Sequence, residues 1–67
     1  MVFELNNKNY TVESDKISSY QNGYKKTFTY YNIFHDGELA GRFYSTQELS
    51  ETEAIDKAKN YLSRYNR

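Results

Sequence analysis

Cysteine, proline and tryptophan are absent from the 67-residue sequence, histidine occurs once, and the three glycines are scattered. Without cysteine there are no disulfides and no thiolate zinc site of the usual kind. Isolated glycines give no phosphate-cradling loop. No apolar run approaches the roughly 20 residues that cross a bilayer, so no membrane contact is expected. Met1-Val2-Phe3-Glu4-Leu5 has neither a basic region nor a long apolar segment, so no secretory signal is expected, and a cytoplasmic location is the expectation. Nine basic and nine acidic side chains cancel. That removes the broad positive field that draws a protein non-specifically to nucleic acid or anionic lipid.

What the chain has in excess is aromatic side chains, eight Tyr and four Phe. Tyrosine suits half-buried sheets, and it suits recognition surfaces, where a stiff amphipathic ring makes contact at low entropic cost. The length leaves room for one small domain, residues 1–67, with a thin core and a net stability of about 3–5 kcal/mol.

Three polar turns organise the first two thirds. Asn6-Asn7-Lys8-Asn9 separates two alternating stretches. With Asn7-Lys8 as central turn residues, Leu5 faces Tyr10 and Phe3 faces Val12. Asn22-Gly23 and Asp36-Gly37 are strong signals for the mirror-image hairpin turn, whose two central residues need positive φ. They place Gln21 opposite Tyr24, Ile17 opposite Phe28, His35 opposite Glu38, Phe34 opposite Leu39 and Tyr30 opposite Phe43. The predicted architecture is α+β: an antiparallel meander over about 2–6, 9–20, 24–35 and 38–45, three-stranded if the first hairpin is loose, with one C-terminal helix on one face.

On the last hairpin, Phe28, Tyr30, Phe34, Leu39 and Phe43 share one side, which reads as the core face. Thr29, Tyr31, Ile33, Ala40, Arg42 and Tyr44 then face outward. The second strand conflicts with this choice. Unbroken pairing from Asn22-Gly23 would put Glu13 and Thr11 on the core face and turn Tyr10 and Val12 away, because a one-residue slip reverses every side chain. A bulge or break near Ser14-Asp15-Lys16 would let Val12 and Ile17 both point inward. A loop over residues 14–23 is the alternative.

The helix, about 50–65, is marked by a capping box of Ser50 and Glu53. Ala54, Ile55, Ala58, Tyr61, Leu62 and Tyr65 make one apolar stripe at helical period. Acidic Glu48, Glu51, Glu53 and Asp56 gather at its start and basic Lys57, Lys59, Arg64 and Arg67 toward its end, which suits the macrodipole. The two alanines would let the helix lie close to the sheet, over Gly41.

Little here can carry chemistry. His35 beside Asp36 lacks a nearby nucleophile, an oxyanion site or a second ligand, and reads as a solvated turn residue. The acidic cluster has no calcium-loop spacing and is explained by capping. No enzyme, no cofactor and no metal site is expected. The outward residues Tyr31, Ile33, Arg42 and Tyr44, with Tyr31 opposite Arg42, are the candidate contact surface, since Tyr and Arg are enriched at binding hot spots. The bland reading is that such cross-strand pairs only stabilise the sheet. Lys25 and Lys26, with Lys16 across the hairpin, form a basic tip that reads either as a solvated turn or as a phosphate contact.

From Thr27 to Leu62 the order is strand, Asp-Gly turn, strand with Gly41-x-Phe43, Ser45-Thr46, then a helix carrying Glu53-Ala54 and Ala58. This resembles the sheet-plus-helix DNA-binding domains of the plant AP2 type and the arm-binding type of tyrosine integrases. In those families the sheet face away from the helix enters the major groove. The resemblance carries that role to Thr29, Tyr31, Ile33, Arg42 and Tyr44, of which only Arg42 is basic. The Lys/Asn/Tyr/Ser-rich composition also resembles small accessory proteins of phages and mobile elements. The expected function is a small non-catalytic protein-binding module, of the kind that inhibits or regulates a partner protein. It would dock through its open sheet face or an edge strand, as a monomer or weak homodimer. The alternative is sequence-specific DNA binding through the same face, with Lys25 and Lys26 on phosphates.

Overall fold

Turn chemistry sets the order of the strands. In a computed structural model, which describes residues 1–65 apart from the side chains of Gln21 and Tyr65, three two-residue turns link four antiparallel strands. Tyr65 closes the helix backbone, and Arg67 of the basic helix end lies outside the described residues. The strands are β1 (Val2–Leu5), β2 (Lys8–Gln21), β3 (Tyr24–His35) and β4 (Glu38–Ser45), in the sheet order β1-β2-β3-β4. The helix α1 spans Glu51–Tyr65.

Both central residues of every turn have positive φ: Asn6 and Asn7 at 53° and 65°, Asn22 and Gly23 at 53° and 79°, Asp36 and Gly37 at 50° and 79°. The first turn therefore centres on Asn6-Asn7, not Asn7-Lys8. Asparagine tolerates the left-handed region better than lysine because its short amide bonds locally to the backbone. Leu5 consequently pairs with Lys8 and Phe3 with Tyr10, one position from the expected register. The second and third turns hold the expected pairs Gln21–Tyr24, Ile17–Phe28, Phe34–Leu39 and His35–Glu38.

β2 and β3 pair without interruption from Thr11–Phe34 to Gln21–Tyr24, so the break expected near Ser14-Asp15-Lys16 does not occur and residues 14–21 are strand. The one irregularity lies in β4. Ile33 pairs with Gly41 while Phe34 pairs with Leu39, which leaves Ala40 as the extra residue of a bulge. Beyond it the register moves by one, so Tyr31 faces Phe43, Tyr30 faces Tyr44 and Asn32 faces Arg42.

The helix covers the side opposite to the one expected. Phe3, Tyr10, Val12, Thr29, Tyr31 and Ile33 are buried beneath Ala54, Ala58 and Leu62. Three features select this face. Val12 pairs with Ile33 in the unbroken ladder, so Phe3, Tyr10 and Val12 join Tyr31 and Ile33 on one side. The other side of β2 presents Thr11, Glu13 and Asp15, and charged groups resist burial without partners. Gly41, paired with Ile33, leaves room against which Tyr61 of the helix packs.

The helix start forms as the sequence predicts. Glu53 N–H donates to Ser50 Oγ at 3.3 Å, and Ser50 N–H donates to Glu53 Oε1 at 3.4 Å. Tyr31 ties the incoming segment to the sheet, its hydroxyl accepting from Leu49 N–H at 2.8 Å. Beyond the last β4 pair, Thr29–Ser45, β2 and β3 run on as a two-stranded arm from Ile17–Phe28 outward, in which Ile17, Ser18 and Tyr24 to Thr27 are exposed. The molecule is accordingly elongated, 46 × 21 × 20 Å.

Candidate interaction surface

Alternation along each strand and the observed register define the uncovered side of the sheet. It consists of cross-strand rows. The first is Val2–Thr11–Phe34–Leu39, the second Glu13–Asn32–Arg42, the third Asp15–Tyr30–Tyr44, and the fourth Ile17–Phe28. Phe28, Tyr30 and Phe34 thus run up the central strand with Asn32 between the last two, all half-buried. Leu39 and Tyr44 on β4 are 55% and 62% exposed, and Ile17 on β2 is 45% exposed.

The aromatic groups are locked together. Tyr44 meets Phe28 edge-on with ring centroids 6.1 Å apart and leans on Tyr30 at 5.9 Å. The Arg42 guanidinium lies 5.7 Å from the Tyr30 ring centre, and its Nε–H donates to Asn32 Oδ1 at 2.6 Å. Cation–π stacking and a short side-chain bond hold the arginine flat on the sheet. Its terminal nitrogens keep their donors for something else. Among the described residues neither Arg42 nor Glu13, two strands away in the same row, makes an ion pair. A shallow depression lined by Thr11, Glu13, Phe34 and Gly37 opens at the top of the face.

Three of the expected surface residues are not here. Thr29, Tyr31 and Ile33 are buried under the helix, at 5%, 1% and 0% exposure. The same displacement applies to the positions carried over from the DNA-binding families. Only Arg42 and Tyr44 lie away from the helix, and they do so because the Ala40 bulge shifts them across. Phe43 moves the other way and stacks on Tyr31 at 5.1 Å. Phe28, Tyr30, Phe34 and Leu39, read from the sequence as core, are the residues that face out. The signal that identifies them is in β2, where Tyr10 and Val12 alternate with Thr11 and Glu13.

No family model, curated protein or solved structure matches the chain.

Other candidate groups fall elsewhere. His35 ends β3 and does not sit in the turn; partly exposed, it donates from Nδ1 to the Asn9 carbonyl at 3.1 Å, since a carbonyl only accepts, and its ring lies 5.2 Å from Tyr10. Asp36 lies 3.3 Å from its Nε2. Lys16 pairs with Glu48 at 3.2 Å and does not join Lys25 and Lys26 at the arm tip. Among the described residues no group of three or more His, Asp or Glu is placed to hold a metal ion, and no helix is long and apolar enough to cross a membrane.

Proposed function

We propose that the protein is a small non-catalytic binding module that docks on a partner protein through its open sheet face, as an inhibitor or regulator would. The observation that carries this is the uncovered aromatic and aliphatic column of Phe28, Tyr30 and Phe34, flanked by Leu39, Arg42 and Tyr44. Apolar side chains gathered on one open face, Phe34 and Leu39 on one side of the polar Glu13–Asn32–Arg42 row and Phe28, Tyr30 and Tyr44 on the other, support an interaction site in a way that singly scattered surface apolar residues do not. Tyrosine and arginine, held rigid before contact, bind at low entropic cost.

A photo-reactive amino acid at Leu39 or Tyr44 is expected to cross-link to protein in the native host. The same group at Thr52, on the exposed side of the helix, is expected to give none above background. Equal labelling at all three positions would remove the proposal.

DNA binding is the second reading, and the charge pattern relocates it. Glu13 and Asp15 on the open face oppose a phosphate backbone, whereas residues 17–28 carry Lys25 and Lys26 and no acid. Tyr20 and Tyr24 stand 74% and 73% exposed on that arm, as bases would need for stacking. On this reading duplex or single-stranded DNA binds at low salt with an affinity that falls steeply as salt rises, and Lys25→Glu with Lys26→Glu abolishes it. Fluorescence anisotropy showing no binding at about 20 mM salt, far below the screening of physiological ionic strength, would exclude it.

A further inference from the structure

We propose that the occupant of the open face is a second copy of the same chain, docked face to face about a twofold axis that runs along β3. The inference rests on the reading of this face as a protein-docking surface and names its partner.

Self-complementarity is the argument. Glu13 on β2 and Arg42 on β4 belong to one row, with Asn32 of β3 between them. Strands are about 4.8 Å apart, so the backbones of the two residues lie roughly 10 Å from each other within one copy, and their side chains make no ion pair there. Rotation about an axis along β3 keeps the row and exchanges its ends. Arg42 of each copy then lies over the partner's Glu13, twice, as an isologous interface requires. The same rotation sets Leu39, at the β4 end of the top row, over the partner's Thr11. That is where the depression lined by Thr11, Glu13, Phe34 and Gly37 opens. The aromatic columns of the two β3 strands meet at the axis.

Charge also excludes the competing arrangement. A twofold axis across the strands at the Asn32 row would stack Arg42 on Arg42 and Glu13 on Glu13. Like charges in a partly desolvated contact discriminate strongly against such a docking. The zero formal net charge of the chain leaves no overall repulsion between copies. Two sheets packed this way are about 10 Å apart with strands near −30°. Four rows, of which the last spans only β2 and β3, make a small interface, so the dimer is weak, with a Kd on the order of 10–100 µM.

Sedimentation velocity between about 5 and 500 µM, a range that brackets that Kd, tests this. The native chain is expected to pass from its monomer mass of 8.0 kDa to twice that value. Glu13→Arg sets arginine against Arg42, and Arg42→Glu sets glutamate against Glu13, so each variant alone is expected to dimerise at least 10-fold more weakly. An equimolar mixture of the two is expected to recover the dimer, because both cross-pairs again join opposite charges, and recovery shows that both variants fold. Lys25→Glu on the arm is expected to leave dimerisation unchanged. A native chain that stays at 8.0 kDa throughout, or charge-reversed variants that dimerise like the native chain, would overturn the proposal. Cross-linking from Leu39 separates this failure from that of the docking surface itself. Adducts to a different protein refute self-pairing alone, and no adduct of any kind refutes both.

Discussion

Replacing Tyr31 with alanine is expected to leave the chain unfolded at room temperature. Tyr31 is 1% exposed, stacks on Phe43 with ring centroids 5.1 Å apart, and accepts the Leu49 N–H at 2.8 Å. Truncating a buried aromatic to alanine costs about 3–5 kcal/mol, because the transfer energy is lost and a cavity remains. A domain of this size has about 3–5 kcal/mol of net stability, so the substitution removes nearly all of it. Tyr31→Phe keeps the ring and gives up only the hydroxyl, which orphans the Leu49 N–H and costs about 1–2 kcal/mol. Urea titrations followed by far-UV circular dichroism should show no folded baseline for the first variant and a cooperative but earlier transition for the second. A Tyr31→Ala chain that unfolds cooperatively within about 1 kcal/mol of the native one, a typical surface-substitution effect, would mean that Tyr31 belongs to the surface after all.

That contrast bears on how much of the molecule can be read in the chain. The strand order and the helix start were legible because each rests on local chemistry. Asn22-Gly23 and Asp36-Gly37 satisfy positive φ in either environment, and the Ser50–Glu53 box needs no tertiary support. Which side of the sheet the helix covers is a non-local question, and β3 by itself does not answer it. Phe28, Tyr30 and Phe34 on one side look more apolar than Thr29, Tyr31 and Ile33 on the other. The decision lies in β2, where Tyr10 and Val12 alternate with Thr11 and Glu13, and in the pairing of Val12 with Ile33. A core on the Phe28 side needs a break in β2, whereas the chain puts the core on the Ile33 side and keeps β2 whole. The bulge was hidden for a different reason. Alanine at position 40 has no turn signal, yet the one extra residue carries Phe43 into the core and Arg42 and Tyr44 out of it. The candidate surface is therefore half legible: Arg42 and Tyr44 lie away from the helix as expected, though only through the bulge, and Phe28, Tyr30, Phe34 and Leu39 face out although theirs is the more apolar side of the hairpin.

Gly41→Val tests the covered side independently, and here the sign of the effect decides. A β-carbon at Gly41 would stand 2.9 Å from Cδ1 of Tyr61 and closer still to its Cε1. Ala54 and Ala58, both at 0% exposure, hold the helix against the sheet, so the half-buried Tyr61 ring must swing out of its contact with the strand to make room. Forcing a branched side chain into that contact is expected to cost about 3 kcal/mol, the upper end for overpacked sites. Pairing it with Tyr61→Ala should recover about 1–2 kcal/mol relative to the sum of the two single changes, since the vacated ring volume accommodates the new methyls. Were the helix on the opposite side, position 41 would face solvent. Valine would then stabilise the strand by up to about 1 kcal/mol, through β propensity and the lower unfolded-state entropy of a non-glycine residue. Thermal melts of the three variants separate these cases, because steric conflict with a covering helix and strand stiffening in open solvent shift the midpoint in opposite directions.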